Sequence, residues 1–124
     1  MNKCIFCDEN NFDIIFSNDL FYVIRDKYPV TDKHTLIILK DHKKNYFDLI
    51  DKEIIQLNNI LKFQREDLIR EDKTISGFNI GVNIGEDAGQ TVMHLHVHLI
   101  PRRNGDIKDP RGGVRGVIPK KQKY

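Results

Sequence analysis

Residues 94 to 100 of this 124-residue chain read His-Leu-His-Val-His-Leu-Ile. Side chains along a β-strand alternate between faces. A strand here therefore places His94, His96 and His98 on one face and Leu95, Val97 and Leu99 on the other. The apolar face suits a core. Three imidazoles on one face do not, because burying a polar group without a partner costs free energy. A lone strand histidine reads as structural, but three in register, directly after Gly89-Gln90-Thr91, read as an active-site strand. Two chemistries fit. His94 and His96, about 7 Å apart along the backbone, suit a zinc pair that activates water. Alternatively one imidazole attacks phosphorus while a neighbour donates the proton that the leaving group requires. Gly85 to Gly89 can present backbone N–H groups to phosphate oxygens, and Gln90 and Thr91 add side-chain donors. The neighbourhood favours phosphorus.

The elements that must carry these residues follow from local pattern. Ile14-Ile15-Phe16 and Leu20 to Ile24, separated by Ser17-Asn18-Asp19, predict a β-hairpin. Tyr28 to Asp32 is a loop. Leu36 to Leu39 is an apolar run of strand length, buried on both faces. From Asp51 to Glu71 the period becomes helical through Ile54, Leu57, Leu61 and Leu68, with Asp51 as the expected N-cap. The helix should end by Ser76-Gly77. Phe78 to Ile84 alternates as a strand, and Gly85 to Gly89 returns the chain antiparallel into the histidines. A run of strands with one long helix inserted is α+β with an antiparallel sheet.

Length and composition predict a single soluble domain over residues 1–124, with 40% hydrophobic and 31% charged residues. A net charge of +2 gives no argument for nucleic acid. The positive excess is local: residues 105–124 form a basic tail in which Lys108, Arg111, Arg115, Lys120, Lys121 and Lys123 face only Asp106 and Asp109. Such a tail suits an anionic substrate. Met1-Asn2-Lys3-Cys4-Ile5-Phe6-Cys7-Asp8 lacks an apolar targeting segment and no run approaches a membrane span, so a cytoplasmic location is expected. In that reducing setting Cys4-x-x-Cys7 reads as a metal half-site or a redox pair rather than a structural disulfide.

The stretch Gln90-Thr91-Val92-Met93-His94-Leu95-His96-Val97-His98-Leu99-Ile100 resembles the signature of the histidine triad (HIT) family of nucleotide hydrolases and transferases. Arg25-Asp26-Lys27-Tyr28-Pro29-Val30 with His34, and Phe78-Asn79-Ile80-Gly81-Val82-Asn83, are similar to further parts of the family pattern. The resemblance spans roughly residues 3 to 104. It implies an α+β subunit giving five antiparallel strands to a sheet continued across a homodimer. It implies His96 as the nucleophile at the α-phosphorus, His98 as the group that helps the leaving group depart, and His94 and His34 as supports. Asp26 would bind the ribose, Ile5 and Phe6 would lie beside the base, and Asn83, Gly89, Gln90 and Thr91 would surround the phosphates. Family members with transferase activity tend to carry glutamine at the His98 position, so His98 points to hydrolysis.

The same resemblance implies a structural zinc held by Cys4, Cys7, His42 and His94, four protein ligands that leave no open position for water. The expected substrate is a nucleotide, a purine nucleotide by preference, whose leaving group is an amine, an acyl group or a second nucleotide. Neither a stable nucleic-acid partner nor a membrane is expected. Two alternatives remain open: a nucleotide-binding regulatory module with vestigial catalysis, and a zinc-dependent metallohydrolase using His94 and His96.

Overall fold

Two hydrophobic periods, one of two residues and one of three to four, decide the architecture. The computed structural model describes residues 4–124; Met1, Asn2 and Lys3 of the N-terminal stretch lie outside the described residues. The alternating segments become β1 (Phe16–Ser17), β2 (Phe21–Arg25), β3 (Thr35–Leu39), β4 (Ile75–Gly81) and β5 (His96–Arg103). The helical segment becomes α1 (Asp51–Glu71), which runs between β3 and β4. All strand pairs are antiparallel, in the order β1-β2-β3-β5-β4. Among the described residues, no helix is long and apolar enough to cross a membrane.

One face of this sheet is closed by α1. Val23, Ile37, Leu39 and Val97 pack there with Leu57 and Ile60 of the helix, and Leu68 continues the contact to Leu99 and Ile75. Burying each such side chain contributes about 1.5 to 3 kcal/mol. The alternate residues Tyr22, Ile24, Leu36 and Ile38 point the other way and pack against Phe6 of the N-terminal segment. Leu36 is paired with His98 and Ile38 with His96. Directly paired residues project to the same side of a sheet, so both histidines stand on the face away from α1. The expected burial of β3 on both faces is observed, with all five residues buried.

Several elements differ in their bounds from the sequence expectation, beginning with β1, which is Phe16–Ser17 rather than Ile14–Phe16. Ile50, not Asp51, is the N-cap of α1; its N–H donates to Glu53 Oε1 at 2.9 Å, because Glu53 is at the third helical position and can reach back. The strand expected over Phe78–Ile84 begins at Ile75 and ends at Gly81. The chain leaves the sheet there to enter a turn in which Gly85 and Gly89 both take positive φ, near 90°, a conformation that favours glycine. The histidine strand starts at His96 rather than His94 and runs on to Arg103.

The tail departs from solvated coil. It folds into two short 3₁₀ turns, Val114–Val117 and Pro119–Lys121. Gly112 has a φ of 71° and a Cβ there would collide with the Gln122 carbonyl, so glycine is required where the tail folds back on itself.

Glu53 is the joint between helix and site loop. Its carboxylate is almost fully buried at 2% exposure, and Lys43 Nζ donates to it at 2.7 Å. Burial would push this carboxyl up, but the Lys43 and Ile50 donors outweigh that and hold it below its usual range. Glu53→Ala removes the helix cap and strands the ammonium, and should cost about 2 to 4 kcal/mol in urea unfolding. Glu53→Gln keeps the Ile50 bond and should cost less.

Candidate active site

A cavity of about 470 Å³ opens on the sheet face that carries His96 and His98, and both line it. Its apolar lining includes Ile5, Phe6, Phe12, Ile24 and Leu36. Its polar lining includes Asp26, Asn83, Gly89 and Thr91, besides the two histidines. The sequence-predicted Ile5, Phe6, Asp26, Asn83, Gly89, Thr91, His96 and His98 are thus brought together around one space. Phe12, Ile24 and Leu36 were not anticipated. Ile24 and Leu36 could be found only from strand register, since alternation alone does not say which face meets the histidines.

The N-terminal segment forms one wall, and a single buried bond anchors it. Tyr22 donates its hydroxyl proton to the Phe6 carbonyl at 2.6 Å. Burial, with the nearby Glu9 carboxylate, pushes the phenol up, so it stays a donor. The Phe6 ring then lies against His96, with centroids 4.8 Å apart.

The hydrogen bonds fix where the protons are. His96 Nδ1 donates to the main-chain carbonyl of His94 at 2.8 Å. Neutral His96 therefore has an unprotonated Nε2. His34 Nδ1 accepts the Val30 N–H at 3.1 Å, so in His34 the proton is on Nε2, which lies 2.8 Å from His98 Nδ1. His98 Nδ1 must accept, and His98 carries its own proton on Nε2. Burial, then the His34 and His96 rings, push His98 down to about 4 against the pull of Asp26. His34 is lowered by burial too, again with Asp26 opposing. The pair is neutral near pH 7. One ring offers a lone pair and its neighbour, 5.5 Å away between centroids, offers an N–H.

Asp26 serves a turn and the site together. Its Oδ1 accepts the Tyr28 N–H at 2.9 Å, while Oδ2 lies 3.4 Å from His34 Nε2.

His94 does not join this group. It lies before β5, its ring is fully buried, and it faces away from the pocket into a cluster with Cys4, Cys7 and His42. The expected convergence of His94 and His96 on one metal is therefore not formed, because one ring turns to the cysteines and the other to the cavity. His94 supports His96 through its carbonyl, not its ring. In the cluster, His94 Nδ1 is 3.2 Å from Cys4 Sγ, 3.4 Å from Cys7 Sγ and 3.1 Å from His42 Nδ1. Cys7 Sγ is 3.3 Å from His42 Nδ1. A tetrahedral zinc with two sulfur and two nitrogen ligands separates its ligand atoms by about 3.3 to 3.8 Å. His94 Nε2 is turned to the Leu39 carbonyl at 2.6 Å, which leaves Nδ1 as the free lone pair, the support a ligand histidine needs. The donor set fits zinc. A second cluster, Asp26, His34 and His98, does not: its two nitrogens are at hydrogen-bond distance and one carries the proton.

Gln90 is placed differently from expectation as well. It is buried and does not line the cavity. Its Oε1 accepts the Gly85 N–H at 2.9 Å, and its Nε2 donates to the carbonyls of Lys44 at 2.7 Å and Val92 at 3.1 Å. It holds the Gly85–Gly89 turn in shape instead of facing a phosphate. In the tail, Arg111 pairs with Asp109, and Arg115 donates to the Lys121 carbonyl. Neither lines the cavity of the histidines.

Comparison with known proteins agrees with this geometry. Residues 8–105 match the HIT domain family. An uncharacterized HIT-like protein of Saccharolobus solfataricus is 31% identical over 107 residues, 83% of this chain and 76% of that protein. A zinc-bound histidine triad family protein from Mycobacterium smegmatis superposes with a TM-score of 0.73 at 32% identity, covering 86% of this chain and 79% of the other. Diadenosine triphosphate hydrolase from Plasmodium falciparum superposes with a TM-score of 0.71 at 29% identity, covering 86% and 69%. With His96 and His98 on the fifth strand, His94 just before it, and the family match running across most of its length, the chain belongs to the HIT family.

Proposed function

We propose that this protein is a nucleotide hydrolase that attacks the α-phosphorus of a nucleoside phosphoramidate or dinucleoside polyphosphate. The observation that carries the reading is the His96 Nδ1–H bond to the His94 carbonyl, which frees Nε2 in a cavity that Asp26, Asn83, Gly89 and Thr91 also line. The nucleoside lies against Ile5, Phe6 and Leu36, with its ribose at Asp26. Asn83, Gly89 and Thr91 surround the phosphate. His96 Nε2 forms a bond to phosphorus as the bond to the leaving group breaks. An amine leaving group accepts a hydrogen bond from the His98 Nε2–H and takes its proton from water, while His34 holds the His98 ring in the donating orientation. Water then hydrolyses the nucleotidyl-histidine and releases the nucleoside monophosphate. The neighbour from Plasmodium falciparum, named as a diadenosine triphosphate hydrolase, supports this class. A homodimer continuing the sheet is part of the proposal: β4 is an unpaired edge, and Ile55 of α1 and Ile80 of β4 are exposed along the groove between them.

His96→Ala should lower kcat by about a thousandfold or more while nucleotide still binds. Rapid quench of the wild type should give a nucleotide mass on the peptide containing His96. A variant that keeps more than about a tenth of wild-type kcat, a barrier change below roughly 1.4 kcal/mol, excludes His96 as nucleophile.

We further propose that Cys4, Cys7, His42 and His94 hold a structural zinc. When bound, the ion would cross-link the N-terminal segment to the start of the catalytic strand and keep His94 in place. Elemental analysis of chelator-free protein should find about one zinc per chain. Cys7→Ser should lose it and lower Tm by about 5 °C or more, since the binding free energy of such a metal is folding free energy.

His98 also makes stability depend on pH. Its proton is bound more weakly in the folded state, near 4, than in the unfolded chain, near 6.5. Between those values the unfolded state binds more protons, so stability rises with pH. The contribution is complete above about 6.5 and is lost as pH falls toward 4. Urea unfolding at pH 7 and pH 5 should differ by about 1 to 2 kcal/mol from this group. His98→Asn should flatten that difference, and an unchanged slope would contradict the assignment.

A further inference from the structure

The cavity of the histidines has a neighbour. A second cavity of about 510 Å³ lies beyond a partition of Ile5, Thr91 and Val92, which line both spaces. What the second cavity adds to these walls is Cys4, His42, Met93 and Lys44. Lys44 differs from the lysine beside it. The Lys43 ammonium is bound to the buried Glu53 carboxylate, whereas Lys44 has no carboxylate partner within 4.0 Å among the described residues. Its main chain is fixed to the other side of the partition, because the Lys44 carbonyl accepts from Gln90 Nε2 at 2.7 Å. That same amide group is bonded to Gly85 and Val92. A cation without a carboxylate partner thus rises from a fixed main chain to line a cavity that Thr91 also lines.

We propose that this second cavity receives the leaving group, and that Lys44 binds a phosphate on it. The inference rests on the hydrolase reading above and adds the substrate class: a leaving group that begins with phosphate, in preference to a neutral amine. In a displacement at phosphorus the attacking and departing atoms lie on opposite sides. The apolar lining of the first cavity is taken by the nucleoside in that reading, so the departing group needs another volume adjoining the phosphate, and Thr91 lines both cavities. The chemistry then separates the two substrate classes. In a phosphoanhydride, the bond between the α-phosphorus and the bridging oxygen breaks, and its electron pair stays on that oxygen. The departing phosphate leaves as an anion and needs charge beside it, not a proton. An amine departs from phosphorus only as it gains a proton, which comes from water while the His98 Nε2–H hydrogen-bonds to the departing nitrogen. Lys44 is a compact point charge with three donors, suited to the first case.

The test compares wild type, Lys44→Ala and Lys44→Arg, each as the full chain, on diadenosine tetraphosphate and adenosine 5′-phosphoramidate. The ratio of kcat/KM for tetraphosphate over phosphoramidate should fall about tenfold or more in the alanine variant and largely return in the arginine variant. A ratio that stays within about twofold of wild type overturns the proposal. Binding gives a second reading that does not need turnover. Wild type should hold ATP about tenfold or more tightly than AMP, and Lys44→Ala should erase the difference. Equal affinities in the wild type overturn the proposal. If wild type turns over neither substrate, the hydrolase reading fails while the ATP and AMP affinities still decide for or against Lys44.

Discussion

His94 is gripped at both ends, and the site depends on that grip. Its ring is fixed by the Leu39 carbonyl on one nitrogen and the Cys4, Cys7 and His42 cluster on the other. Its carbonyl, in turn, takes the Nδ1 proton of His96. A backbone carbonyl can only accept, so in the neutral His96 ring the proton is on Nδ1 and the lone pair is at Nε2. The chain uses a residue just before the strand as an adaptor: a buried ring fixes the main chain, and the main chain fixes the proton on the next ring of the series.

The sheet resolves a conflict between packing and chemistry. β5 must pack its odd-numbered residues on α1 and present His96 and His98 to a polar pocket, and the alternation of a strand meets both demands. β3 has no polar side to spare, and its second face is covered by Phe6. The N-terminal segment is therefore both the lid of a secondary core and a wall of the pocket. Where polar groups are buried on this face, each has a partner: Tyr22 finds the Phe6 carbonyl, His34 finds Val30 and His98, and Gln90 finds three backbone groups.

Much of this was legible in the residues because alternation and helical spacing are local. The sheet-forming segments, the long helix and the glycine-bracketed turn all appear where their patterns lie, with shifts of two or three residues at the ends of β4 and β5. The shifts have causes that patterning does not see, such as the positive φ at Gly85 and Gly89 and the continuation of β5 through Pro101 opposite Phe78. What was not legible is long-range. That Glu53 caps the helix while binding Lys43, that Leu36 shares a face with His98, and that the Gln90 side chain turns inward all depend on register and loop closure. The separation of the His94 ring from the other two was hidden for a related reason. Period two puts all three histidines on one face only if the strand begins at His94, and it begins two residues later.

The four residues Cys4-Ile5-Phe6-Cys7 form a single 3₁₀ turn and its cap. The outer two face His42 and His94, and the inner two face the pocket. In the proposed reading, cation and nucleotide would be two ligands of one turn. Thermodynamic linkage then applies in both directions: whatever factor an occupied cysteine cluster brings to nucleotide affinity, a bound nucleotide returns to cation affinity. Retention of a metal at that cluster would then depend on substrate concentration, through a turn four residues long.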